Sequence, residues 1–281
     1  MTHTFLWLAL STATAVPVAE AKPSMPDGRA RIGMNVGLCG AENTATERAT
    51  ALRIVKLQGR SDAGKAIQRY FAAQQDNARL SLNASTGTVY LEGLISKATV
   101  RALTGALGQP SRPRRLVVNS FGGEARAGMA MADLLRKHQV EMTVRGFCMS
   151  ACATYLLPVA RQVRLDDAVI GLHGRPATCR EQLSLWTGIR QWGLSNYLEF
   201  IKVARLDADF AAGTPRMSTA ISLSQRPDRG AMDGKTRDWL VVDPAHVERL
   251  GVPVASISST QTFDLLAADP TGSLVGGIHI Y

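Results

Sequence analysis

The chain has 281 residues, of which 46% are hydrophobic and 20% charged, and a formal net charge of +9. This composition fits one compact domain with an appendage, or two small domains. It excludes a polytopic membrane protein, because no apolar run beyond the N-terminus is long enough to span a bilayer. Basic residues are spread along the chain apart from Arg112–Arg115 (R-P-R-R), aromatic residues are 6%, and no nucleic-acid-binding motif occurs. Nucleic acid is therefore not an expected partner.

The N-terminus reads as an export signal. Phe5–Val18 is an apolar run and Ala19-Glu20-Ala21 is an A-x-A cleavage site, so residues 1–21 are expected to be removed. The mature protein is then expected in a periplasm or outside the cell, with no integral membrane span. In such a compartment the four cysteines, Cys39, Cys148, Cys152 and Cys179, are candidates for disulfides with three possible connectivities. None of them sits in a convincing zinc pattern, so no metal is expected.

Residues 22–80 read as a lead-in and a small α/β appendage. Within them Lys22–Glu47 is rich in turn formers, Ala51–Leu57 is β-prone, and Ala63–Gln75 has the periodicity of a helix. Residues 81–258 read as the main domain. Leu80–Leu82 and Thr88–Leu91 flank a turn, and Lys97–Leu107 is an amphipathic helix stopped by Gly108. Leu116–Gly123 (L-V-V-N-S-F-G-G) is an apolar strand ending in a glycine turn. Glu124–Lys137 is a helix with Ala127, Met131, Leu134 and Leu135 inward. A second strand, T-V-R-G-F-C-M-S-A-C, delivers Ser150 to the start of a small-residue helix.

Val163–Arg164 and then Val169–Leu172 return the chain to His173. Arg180–Ala204 is a long helical stretch interrupted at Gly188 and Gly193, and Leu223–Gly230 is a polar loop. Asp233–Leu250 holds a turn, a short strand and a helix begun at Asp243-Pro244. Val252–Ser256 is a last strand, and residues 259–281 are a tail. Alternation of strands and helices predicts an α/β fold with a largely parallel sheet.

A serine at a helix start, facing a Gly-Gly turn and followed by a returning histidine, is the pattern of acyl transfer. The hydroxyl needs a base, and the developing oxyanion needs backbone N–H donors. Each residue has a plainer role open to it: Ser150 as a capping serine, His173 as a structural histidine, Gly122 and Gly123 as a tight turn.

The motifs N119-S-F-G-G123, G146-F-C-M-S-A-C152 and G171-L-H-G174 occur in the order and near the spacing of the ClpP/crotonase superfamily, and the segment Thr88–Val254 resembles its exported ClpP-like serine peptidases. The resemblance implies a fold of repeated ββα/βαβ units with Ser150 as nucleophile and His173 as base. It implies the amides of Gly123 and Ala151 as oxyanion donors. Asp233, one residue out of register, is the best match to the third triad member, with Asp228 and Asp238 as rivals. Phe121 stands where the family has proline, and two cysteines bracket the serine. The implied activity is hydrolysis of peptides or unfolded proteins without ATP and without a cofactor, by a homo-oligomer. A Ser–Lys dyad is disfavoured, since no lysine lies between Ser150 and Lys202. Acyl-CoA chemistry is not expected outside the cytoplasm. The alternatives are a non-catalytic binding or assembly protein of the same fold, and an esterase or thioesterase using the same residues.

Overall fold

The computed structural model describes residues 79–109, 112–172, 175–182, 184–214, 239–267 and 278–280. The segments predicted before Arg79, including the export signal, the strand at Ala51–Leu57 and the helix at Ala63–Gln75, lie outside the described residues. So does the polar loop Leu223–Gly230.

The fold is mixed α/β, built on one eight-stranded sheet in the order β1-β2-β3-β4-β5-β6-β8, with β7 also paired to β5. An antiparallel hairpin of β1 (Arg79–Asn83) and β2 (Thr88–Glu92) leads in. β2, β3 (Arg115–Ser120), β4 (Glu141–Met149) and β5 (Val163–Leu172) are then parallel. β7 (Val254–Ser259) runs parallel to the first half of β5. The antiparallel β6 (Trp239–Val242) pairs with its last three residues, and β8 (Ile278–Ile280) runs parallel to β6. The sheet thus draws strands from both sides of the 81–258 span.

Central parallel strands are covered on both faces and read as continuous apolar runs. In β3, Leu116 and Val118 are fully buried, and Met142 and Val144 of β4 lie beside them. Two helices cross between these strands. α1 (Lys97–Leu107) starts where the Thr99 hydroxyl accepts the Ser96 amide at 2.9 Å, and stops at Gly108, whose amide donates to the Thr104 carbonyl. α2 (Ala125–His138) ends in a left-handed Gln139. Leu103, Leu107, Met131 and Leu135 bury these helices' apolar stripes in the core.

Three elements differ from the sequence expectation. β5 is one continuous strand. Asp166 and Asp167, between the two expected segments, are engaged laterally: Asp166 meets Arg145 at 2.9 Å, and Asp167 accepts the Thr262 amide at 2.7 Å, capping α6 (Gln261–Ala267). The long helical stretch Arg180–Ala204 is three helices, α3 (Pro176–Gln182), α4 (Leu185–Trp192) and α5 (Leu194–Ala212), the last running past the expected end. One break falls between Gln182 and Leu185 and the other at Gly193, whose φ of +78° a helix cannot contain, whereas Gly188 stays inside α4. The last strand predicted at Val252–Ser256 lies two to three residues later, at Val254–Ser259.

Candidate active site

The C-terminal ends of β3, β4 and β5 converge on Ser150. The path begins with a bulge. The β4 register shifts on both sides at Gly146, which has φ +92°. A bulge frees one amide from the ladder. That amide, of Phe147, donates instead to the Asn119 side-chain carbonyl at 3.0 Å. A side chain at position 146 would come within 3.0 Å of the same oxygen. Asn119 of the N-S-F-G-G motif therefore sets the direction in which β4 approaches the serine. Phe121 adds a second brace, its ring stacked on Phe147 with centroids 4.7 Å apart.

Ser150 is half-buried and has φ +51°, the left-handed region that non-glycine residues avoid. Holding a serine there costs about 1–3 kcal/mol, which the surrounding structure must offset. Its amide donates to the Gly171 carbonyl of β5 at 2.9 Å, and its carbonyl accepts from Thr154 at 2.8 Å. The strand therefore turns in one residue into a helical segment: a π-helical turn, Cys152–Leu156, followed by a 3-10 turn at Leu157–Val159. π turns recur at functional sites. This segment lies inside the protein, with Ala151, Cys152, Ala153, Tyr155 and Leu156 each 4% exposed or less. Small residues allow that depth. Gly128 of α2 is needed as well, since a Cβ there would meet the Tyr155 ring at 2.6 Å. A disulfide joins Cys148 to Cys152 and closes the elbow around Ser150. Cys179 is also disulfide-bonded, and Cys39 lies outside the described residues.

The glycine turn lies directly against the serine. A Cβ on Gly122 would stand 2.6 Å from the Ser150 Cβ, 2.7 Å from the Met149 carbonyl oxygen and 2.8 Å from the Ala151 nitrogen. Only glycine, at φ +95°, fits. Gly123 forms a bridge with Ile95 in which Ile95 donates to the Gly122 carbonyl and Glu124 donates to the Ile95 carbonyl. The Gly123 amide takes no part in that bridge. Gly123 is exposed, whereas Ala151 is buried behind Gly122.

His173 and Asp233 lie outside the described residues, as do Asp228 and Asp238. The described residues that adjoin His173 and Asp238 are Leu172 and Trp239. Leu172, the residue before His173, ends β5 beside the Ser150 elbow and pairs with Leu240 of β6. Because β6 runs antiparallel to β5, its first residue, Trp239, lies at this same end of the sheet.

Beneath the elbow is a polar cluster that sequence reasoning missed. Asp207 of α5 is fully buried, and Arg175 is 2% exposed. The Asp207 Oδ1 accepts from Arg175 Nε at 3.1 Å, Arg175 Nη2 at 2.6 Å and the Tyr155 hydroxyl at 2.9 Å. Its Oδ2 accepts from the Ala177 amide at 3.0 Å, and Arg175 Nη2 also donates to the Asp207 carbonyl. Burial, reinforced by the Asp207 carboxylate and opposed by the Arg175 guanidinium, raises the Tyr155 pKa well above its usual 10.0. Tyr155 therefore stays a donor. One carboxylate thus ties α5 to the turn that carries Ser150 and to the segment two residues beyond His173. Its partners are 32 and 52 residues away in sequence, so no local pattern marks it.

Among the described residues no group of histidines, cysteines and carboxylates could hold a metal ion, and no helix is long and apolar enough to cross a membrane. The chain matches no protein-family model and no curated protein. Among solved structures it is similar to an asparagine-to-aspartate mutant of ClpP1 from Listeria monocytogenes, at 17% identity over 64% of this chain and 95% of that one, with a TM-score of 0.41.

Proposed function

We propose that this chain is an exported serine hydrolase of ClpP-like type that cleaves peptides or unfolded proteins without ATP. Ser150 is the nucleophile and His173, the next residue beyond β5, is the base that takes its proton. Asp233 orients the histidine, and the amides of Gly123 and Ala151 receive the oxyanion. Attack on a peptide carbonyl forms an acyl-enzyme that water then releases. The observation that carries this is the Ser150 backbone: a non-glycine residue held at φ +51° between a parallel strand and a buried helical turn, with Gly122 packed on its Cβ. A serine needed only for packing or capping has no reason to occupy a strained corner.

Export is supported by the A-x-A site after Phe5–Val18 and by the Cys148–Cys152 disulfide, since such bonds persist in oxidising compartments. Assembly into a homo-oligomer is supported by exposed apolar side chains along α4 and α5, Leu185, Trp186, Leu194 and Leu198.

The test is a fluorophosphonate probe on the folded protein. Expected is one label, on Ser150, absent from Ser150→Ala. No labelling of folded wild type favours the non-catalytic alternative. Labelling with turnover of esters and thioesters but not of peptides favours the esterase alternative.

A further inference from the structure

At the opposite end of the same strands lies a basin of about 630 Å³ lined by Arg112, Arg114, Lys137, His138, Gln139 and Arg161. Three connections meet there: the approach to β3, the turn from α2 to β4, and the turn into β5. The R-P-R-R run thereby joins Lys137 in the last turn of α2 and Arg161, which are 23 and 47 residues beyond Arg114. Among the described residues no acidic side chain lines the basin.

The arginines of α2, β4 and β5 are paired with carboxylates. Arg136 pairs with Asp133, Arg145 with Asp166, and Arg164 with Glu141. Arg112, Arg114, Lys137 and Arg161 have no carboxylate partner among the described residues. Four like charges held around one concavity repel one another, and a bound polyanion would relieve that repulsion. Guanidinium groups match phosphate oxygens in two-pronged contacts, and lysine adds a point charge.

We propose that this basin binds a compact polyanion carrying two or more phosphoryl groups. Its volume is that of a small-molecule site. A nucleic-acid strand spaces its phosphates along a line and calls for a basic stripe, whereas these cations surround a hollow. β4 spans nine residues, which puts the basin on the order of 30 Å from Ser150. The ligand is therefore not the substrate of the serine, and the site stands or falls independently of the hydrolase proposal.

The experiment is calorimetric titration of the full chain with inorganic tripolyphosphate, repeated on Arg114→Glu, Arg161→Glu and, as an equal charge change on α1 away from the basin, Arg101→Glu. Expected is saturable binding of one equivalent that weakens with salt. Each basin variant should lose about tenfold or more in affinity, the energy of one charge-assisted contact, while Arg101→Glu stays within about twofold and every variant keeps wild-type melting and probe labelling. Sedimentation with vesicles containing cardiolipin, whose headgroup carries two phosphates, then separates two sources of the same chemistry. Tripolyphosphate binding without co-sedimentation assigns a soluble ligand. Binding together with co-sedimentation that Arg114→Glu abolishes assigns a lipid headgroup. The proposal is overturned by no saturable binding at low salt, or by Arg101→Glu weakening binding as much as the basin variants. Duplex DNA binding more tightly than tripolyphosphate and depending on the same arginines would also overturn it.

Discussion

The two ends of β3 and β4 are built on opposite principles. At the C-terminal end the machinery is backbone: a bulge at Gly146, a serine at positive φ, and a glycine turn too close for any side chain. The buried charge beneath it is the Arg175–Asp207 ion pair, in which Arg175 Nη1 alone has no hydrogen-bond partner. At the N-terminal end the backbone contributes a left-handed Gln139 that closes α2, and the character comes from four exposed cations, Lys137 in the last turn of that helix and three arginines on connections. A site made of backbone shape is bound to the fold, so changing it disturbs stability and chemistry together. A site made of exposed side chains can be altered while the fold stays as it was.

Gly122→Ala probes that contrast most severely. The new methyl meets three atoms of the serine elbow, two of them backbone, at a φ that alanine resists. It should eliminate probe labelling and give the largest fall in melting temperature of the set. Wild-type labelling with unchanged melting would break the contrast outright.

Asp207→Ala comes next. It leaves the Arg175 guanidinium buried without its carboxylate, at a cost of about 3–5 kcal/mol. Denaturant unfolding measures the loss, and labelling of whatever remains folded should also slow because the Ser150 turn is no longer tethered. A loss below about 1 kcal/mol would mean that the cluster does not hold the elbow in place.

Replacing both Cys148 and Cys152 by alanine opens a loop of only a few residues, worth about 2 kcal/mol in the chain-entropy account. Labelling should fall by more than that stability change accounts for, since the bond closes the elbow itself. Unchanged labelling would make the disulfide a device of the fold alone.

The smallest effect is expected from Tyr155→Phe, which removes one donor from Asp207 and costs about 1–2 kcal/mol. It also carries a pH signature. The folded pKa of Tyr155 is raised, so the stability tied to its protonated form is present below the unfolded value near 10 and lost as pH climbs through the folded value. Wild type should weaken above about pH 10, and the phenylalanine variant should lack that component. Parallel alkaline curves would remove Tyr155 from the account.

The sequence by itself determined whatever depends on neighbours along the chain. The helix Lys97–Leu107 occupies the residues its periodicity marks, because its start at Ser96, its apolar stripe and its stop at Gly108 are all local. The apolar runs of β3 and β4, and the placing of Ser150 between a strand and a small-residue helix, were legible for the same reason. Tertiary structure decided what depends on contact between distant segments. β5 is continuous through Asp166 and Asp167, whose partners, Arg145 and Thr262, are 21 and 95 residues away. The bulge at Gly146 is completed by Asn119 from another strand, and Gly122 is required by a serine 28 residues on, so neither glycine could be told from an ordinary turn former. Asp207 reads as one more charge on a helix until burial places it against Arg175 and Tyr155. The four basin cations likewise become a site only when the ends of three parallel strands are set side by side. Periodicity and capping act over three or four residues, whereas burial, close approach and charge clustering are properties of the folded volume.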